Sequence, residues 1–299
     1  MVIQWYPGHM AKARRMLIEN LKLIDVVVEL VDARAPLSTG NPDFDDLFAS
    51  KKRLLVLNKS DLADANMTRR FIQYYAARNI PAVPFVSTGG SKKAVVSLIE
   101  SAAAESVERM RQKGIKKTVR VLVAGIPNVG KSTFINRIAG EVRAKTGDMP
   151  GVTRGKQWVK ITPYLELMDT PGLLWPKLDN DRYAQRLAFL GSIKDDIMDT
   201  ETLSTLLLAA LQQRCPEALQ ARYSKVTKEI AKENLLEAVA RSRGFLLPGN
   251  EADIERAARI VLDEFRAGRI ARVTLDDPEE PDLAGEEPET GGKPHGENR

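Results

Sequence analysis

A doubly wound, mostly parallel α/β sheet followed by an all-helical C-terminal domain is the architecture this sequence predicts, and three observations predict it. Val119-Arg-Val-Leu-Val-Ala-Gly125 alternates β-branched residues into a strand, breaks at a glycine-rich turn and resumes as a helix over Ser132–Ala139. Two other buried-strand patterns, Arg53–Leu57 and Tyr164–Met168, each end in a polar loop, Asn58-Lys-Ser-Asp61 and Asp169-Thr-Pro-Gly172. After residue 180 or so, only helical periodicity remains.

The remaining elements follow in order. Ala82-Val-Pro-Phe-Val86 is a strand that runs into the turn Ser87-Thr-Gly-Gly90. Ser91–Gln112 reads as a helix with Val95, Leu98, Ile99, Ala102 and Val107 on one stripe, and Lys113–Lys117 links it to the Val119 strand. Gly140 is the expected C-cap of the Ser132–Ala139 helix. Further on, Arg182–Met198 is one helix, Thr200 caps a second, Lys225–Arg243 forms a third ending at Gly244, and Asn250 caps Glu251–Ala267, closed by Gly268. In the last helix Ile254, Ala258, Val261 and Phe265 make the buried stripe, leaving Arg256, Arg259 and Arg266 away from it, followed by Arg269 and Arg272. A solvated charged face and an RNA-contacting face both suit that arrangement.

The loops carry chemistry. Gly125-Ile-Pro-Asn-Val-Gly-Lys-Ser132 matches the phosphate-cradling pattern G-x-x-x-x-G-K-[ST] at every specified position. Asn128, Val129, Gly130, Lys131, Ser132 and Thr133 form a turn whose N–H groups and helix N-terminus converge on one spot, which suits phosphate. Lys131 then reaches the β- and γ-phosphates, and Ser132 places its hydroxyl on Mg2+. In Asn58-Lys-Ser-Asp61, the Asp61 carboxylate suits the paired donors of guanine, which adenine lacks; Lys59 lies along the base and Asn58 braces the loops. Ser87 and Thr88 belong to a loop whose backbone can meet the guanine carbonyl. Asp169 of the D-x-x-G loop holds Mg2+ through water, and the Gly172 N–H meets the γ-phosphate. Thr153, in the glycine-flanked Pro150–Gly155 loop, is the expected second hydroxyl on the metal, with Thr146 as the alternative. GTP and GDP are thus the expected substrate and product.

In an ordinary chain of this kind the phosphate loop precedes the guanine-reading motif; here it follows. The order does not break the fold, because ligand loops of a doubly wound sheet gather at the carboxyl ends of its strands whatever the connectivity. A circularly permuted P-loop domain results.

The 299 residues imply about two domains. Cys215 is the only cysteine, so no intrachain disulfide is possible; a reducing compartment is natural, and the thiol is expected to be a small buried hydrophobe. No apolar run has the ~18 residues of a membrane span. The segment 276–299 has a net charge of −7 and little apolar content, so it is expected to be a disordered acidic tail. Removing it from the chain's +5 leaves about +12 on residues 1–275, which favours a polyanionic partner. The expected divisions are 1–178, the permuted nucleotide domain; 179–275, a helical RNA-binding domain; and 276–299, the tail. A small-molecule kinase is disfavoured by Asn58–Asp61, and an RNA-binding GTPase acting on tRNA or mRNA is the alternative.

The permuted order, the opening Trp5-Tyr-Pro-Gly-His-Met10, Asp32-Ala-Arg-Ala-Pro36 after an apolar strand, and the helical C-terminal part closely resemble the bacterial ribosome biogenesis GTPase A family, also called YlqF. The likeness spans roughly residues 1–275. It implies a cytoplasmic, monomeric GTPase without stable membrane association. That enzyme acts late in large (50S) ribosomal subunit assembly, binding 23S rRNA and ribosomal proteins of the precursor. It also implies K+ held by Asn128 and a catalytic histidine at His9. Leu173 occupies the position where many GTPases carry a water-orienting glutamine, and it cannot hydrogen-bond water; a helix-capping or RNA-contacting His9 is the alternative.

Overall fold

Val26–Asp32 is buried at all seven positions, as expected of a strand covered on both faces of a parallel sheet. The structure is a computed structural model that describes residues 3–4, 8–140, 157–175, 177–178, 181–193 and 199–279. The strands are β1 (Ile3–Gln4), β2 (Val26–Asp32), β3 (Lys52–Asn58), β4 (Ala82–Pro84), β5 (Val119–Ala124), β6 (Gln157–Thr162), β7 (Leu165–Asp169), β8 (Lys177–Leu178), β9 (Leu246–Leu247) and β10 (Glu251–Ala252). Six of them form one sheet in the order β4-β3-β2-β5-β7-β6, parallel throughout except for β6. The β5 strand, which opens the phosphate loop, lies between β2 and β7, so a late segment occupies the centre of the sheet beside an early one.

The helices are α1 (Gly8–Leu21), α2 (Pro36–Thr39), α3 (Asp43–Leu47), α4 (Ala65–Ala77), α5 (Lys93–Gln112), α6 (Lys131–Ala139), α7 (Asp181–Phe189), α8 (Thr200–Arg214), α9 (Pro216–Arg222), α10 (Leu235–Arg243) and α11 (Ile254–Arg266). Helix α5 buries Val95, Ile99 and Ala103, and α11 buries Ala258, Val261 and Phe265 on its predicted stripe. Gly140 closes α6 in the left-handed conformation, as does Gly244 after α10.

Several boundaries differ from the sequence expectations. Helix α7 stops at Phe189, and 194–198 lie outside the described residues. Asp199 rather than Thr200 caps α8, accepting from Thr202 N at 2.9 Å. Residues 225–231 are not helical: Gln212 Nε2 donates to the carbonyls of Thr227 and Ile230 at 2.8 and 3.0 Å, holding them as turns. Asn250 adopts φ 63° in the β9–β10 hairpin, and Asp253 caps α11 instead. Cys215 is only half-buried, and that burial pushes its thiol up to about 11.

The expected tail of 276–299 does not begin at Asp276, and 280–299 lie outside the described residues. Asp276 is fully buried, accepting from Ser38 N and Oγ at 2.8 and 2.7 Å and from Arg186 at 2.7 Å. Val273 N donates to Leu62 O and Leu275 N to Arg34 O. Residues 273–276 are therefore a strap returning from the helical part onto the sheet domain. Among the described residues no helix is long and apolar enough to cross a membrane.

Candidate nucleotide site

The polar loops meet because β2, β3, β4, β5 and β7 all point their carboxyl ends the same way. Register places Asp32 opposite Asn58 and Val123 opposite Asp169, so the loops leave the sheet from neighbouring levels.

Asn58 joins three of them. Its Nδ2 donates to Val129 O in the phosphate loop at 2.9 Å, and its Oδ1 accepts from Ser87 Oγ at 2.7 Å. Gly130 makes the first contact possible: it adopts φ 96°, and a Cβ there would lie 2.5 Å from Asn58 Nδ2. Lys59 Nζ donates to Asn128 O at 3.0 Å and pairs with Asp32 at 3.1 Å. The Ser87–Gly90 turn is fastened to α6 by Arg137, which donates to the carbonyls of Gly89 and Gly90. Asp61 is exposed at the rim, and Thr88 is exposed on the neighbouring turn.

The phosphate loop folds onto itself. Lys131 is buried, with Nζ 3.1 and 2.7 Å from the carbonyls of Gly125 and Ile126. Burial pushes its amine down to about 8, against the opposing pull of the Asp169 charge. Ser132 Oγ donates to Asp169 Oδ2 at 2.9 Å. A hydroxyl and a carboxylate so close are two hard oxygen donors, the chemistry that suits a magnesium-type cation. Gly172 lies flat against the phosphate loop, where a Cβ would come 2.6 Å from Pro127 N. Leu173 is buried, its N–H donating to Gly125 O and its carbonyl accepting from Asn41 Nδ2 at 3.0 Å. Asn128 takes φ 59°, and its Nδ2 donates to Gly191 O at 2.6 Å. Because a carbonyl can only accept, this bond turns the amide oxygen away from Gly191, where a cation could use it. The side chain of His9, at the start of α1, lies outside what the structure describes, as do Thr146 and Thr153.

Three features here were not read from the sequence. Asp32 accepts from Arg34 Nε and NH2 at 2.9 and 2.8 Å. Burial opposes its ionisation, but Arg34 and Lys59 outweigh that and hold its carboxyl well below the usual range. Arg34, itself 1% exposed, donates from NH1 to the carbonyls of Phe265 and Arg266 at 3.3 Å at the end of α11, where the Phe265 carbonyl also accepts from Gly268 N at 3.0 Å. Arg266 in turn donates to Ala188 O and Phe189 O at 2.8 and 3.1 Å, which removes it from any free basic face. Of its expected companions, Arg256 stacks on Phe245 and Arg259 pairs with Glu255. Asp32-Ala-Arg34 was the only visible trace of this arrangement, and its partners are more than 200 residues away in the chain.

The sequence family described as "50S ribosome-binding GTPase" matches residues 120–235, which take in the phosphate loop and D-x-x-G but not Asn58–Asp61. "Ribosome biogenesis GTPase A" of Priestia megaterium is 44% identical over 94% of this chain and 98% of its own length. A crystal structure titled GNP-bound YlqF from T. maritima superposes with a TM-score of 0.64 at 27% identity, covering 90% of this chain and 99% of that one. The GDP-bound structure of the same T. maritima protein gives 0.63 at 26% identity, covering 88% and 98%.

Proposed function

This chain belongs to the ribosome biogenesis GTPase A family and is a GTP hydrolase, and on that premise we propose that it is a late assembly factor of the large (50S) ribosomal subunit. In this reading its GTP-bound form engages 23S rRNA and ribosomal proteins of a precursor particle, and hydrolysis releases it. The observation that carries the proposal is the seating of the guanine-reading loop on the phosphate loop through Asn58 and Lys59, despite their reversed order in the chain.

Each side chain then has a task. Asp61 selects guanine, because a carboxylate covered by adenine would be left without its donor pair. Lys131 exchanges the Gly125 and Ile126 carbonyls for the β- and γ-phosphates, whose charge restores its proton affinity. The backbone of Asn128–Thr133 and the Gly172 N–H cradle the phosphates. Ser132, Asp169 and Thr153 would hold Mg2+, which neutralises charge on the phosphate oxygens. Asn128 would hold K+ at the same oxygens. With Leu173 buried and apolar, His9 is the residue we assign to orient the attacking water. Residues 179–275 meet the RNA; the enzyme acts in the cytoplasm as a monomer, and 280–299 form the acidic tail.

Sedimentation with large-subunit particles tests the reading. Co-sedimentation is expected with a non-hydrolysable GTP analogue and loss of it with GDP. Equal sedimentation in both states would refute nucleotide control, and none in either would refute the ribosome.

A further inference from the structure

The carboxylate assigned to guanine has no support of its own. Among the described residues, the Asp61 side chain makes no hydrogen bond or ion pair. Its place is therefore set by its neighbours in the chain. On one side, Ser60 donates to Phe85 O from both N and Oγ, at 3.2 and 3.1 Å. On the other stands Leu62, whose N–H donates to Lys59 O at 2.9 Å and closes the turn. What holds Leu62 comes from the helical part.

Segment 268–274, which joins α11 to the strap, grips Leu62 at two points. Val273 N donates to the Leu62 carbonyl at 3.2 Å. Gly268 ends α11 with φ 69°, and the Leu62 side chain lies over it: a Cβ at 268 would come 2.4 Å from Leu62 Cδ2. Both the left-handed backbone and this close approach call for glycine. A third contact follows along the chain. Thr274 Oγ1 accepts from Asp64 N and donates to Ala33 O, each at 3.3 Å, and Asp64 in turn caps α4 by accepting from Met67 N at 2.8 Å. Asp61 thus sits on a turn held by the β4 loop at Ser60 and by the helical part at Leu62.

We propose that segment 268–274 is a positioning element for guanine recognition: through Leu62 it fixes the turn that carries the Asp61 carboxylate. The inference rests on the assignment of Asp61 as the guanine reader made above. A carboxylate that meets two parallel donors has to present both oxygens in the plane of the base, so an error of direction weakens both bonds at once. Because Leu62 N closes the turn onto Lys59 O, a shift of Leu62 carries Asp61 with it. The end of α11 and the strap are in this sense part of the nucleotide site, although 210 residues separate Asp64 from Thr274.

The test compares GDP with inosine diphosphate, whose base keeps the N1–H but lacks the amino group, in competition with fluorescent GDP on the full-length protein. Leu62→Ala empties the contact with Gly268, and Gly268→Ala drives a Cβ into it. Each should weaken GDP roughly tenfold, about the worth of one hydrogen bond to a charged group. Inosine diphosphate, which offers Asp61 one donor instead of two, should lose only about threefold. Leu62→Met, of similar volume, should restore both affinities. Leu62 is half-buried, so the Leu62 series carries the test if Gly268→Ala does not fold. Wild type should prefer GDP, and Asp61→Ala should remove the preference. Equal losses of the two nucleotides in Leu62→Ala, or no loss of either, would overturn the proposal, since Leu62 would then only support the fold. If Asp61→Ala keeps the wild-type preference, Asp61 is not the reader and the inference falls with that assignment. If Asp61→Ala removes the preference and Leu62→Ala leaves it intact, the positioning role alone falls.

Discussion

Replacing Arg34 with alanine should be among the most destabilising single changes in this protein, although Arg34 contacts no nucleotide loop directly. Its side chain satisfies a carboxylate and two helix-terminal carbonyls, all in a region where Arg34 and Asp32 are 1% and 2% exposed. Removing one member of a buried ion pair costs about 3–5 kcal/mol. Lys59, 3.1 Å from Asp32, retains part of the compensation. The missing donor to Arg266 O acts in the opposite sense, at about 1 kcal/mol, whereas Phe265 O keeps its bond from Gly268 N. We expect about 3–4 kcal/mol in total. With an m-value near 3 kcal/mol/M, that lowers the urea midpoint by about 1 M. The sign with pH follows from Asp32, whose carboxyl is depressed in the fold: its contribution is present above the unfolded value of about 4 and is lost as pH falls toward the folded one. Wild type and Arg34→Ala should therefore converge below about pH 4. Asp32→Asn should partly rescue Arg34→Ala by removing the stranded charge. A loss under about 1 kcal/mol, or no rescue, would refute the clasp.

Four other outcomes are expected. Lys131→Met should abolish GTP binding yet stabilise the nucleotide-free protein by about 1–2 kcal/mol, because it removes a buried amine. That amine titrates near 8 in the fold instead of at the ordinary lysine value of 10.5, so its cost is full below pH 8 and fades above it; thermal shifts at neutral and alkaline pH should show the gain shrinking. Asp61→Asn should shift preference from guanine toward xanthine nucleotides in a competition assay. His9→Ala should lower turnover at least about tenfold with GTP affinity nearly intact; a parallel loss of affinity would make His9 structural. Hydrolysis should run faster in potassium than in sodium, and Asn128→Ala should abolish the difference.

What the sequence disclosed and what it hid divide along a physical line. Loops whose chemistry lies in consecutive residues were legible: Gly125–Ser132, Asn58–Asp61 and Asp169–Gly172 each carry their spacing within eight residues or fewer. The strands beneath them were legible because burial leaves a continuous apolar run. Features that depend on a distant partner were not. Asp276 reads as the first residue of an acidic tail until Ser38 and Arg186 are seen around it. Arg266 reads as a basic surface residue until Ala188 and Phe189 present their carbonyls. Asn250 and Asp253 are both good caps by residue type, and only the β9–β10 hairpin decides between them.

The strap has a mechanical consequence. The helical part leaves the sheet domain through Lys177–Leu178, paired with Ile3–Gln4, and returns to it at 273–276. A body pinned at two ends to one support could still turn about the line through its pins. Here the Arg34 clasp on the end of α11 and the bond from Asn128 to Gly191 are further grips on the same support, so the helical part is set in one attitude to the phosphate loop, and any turn has to break one of them.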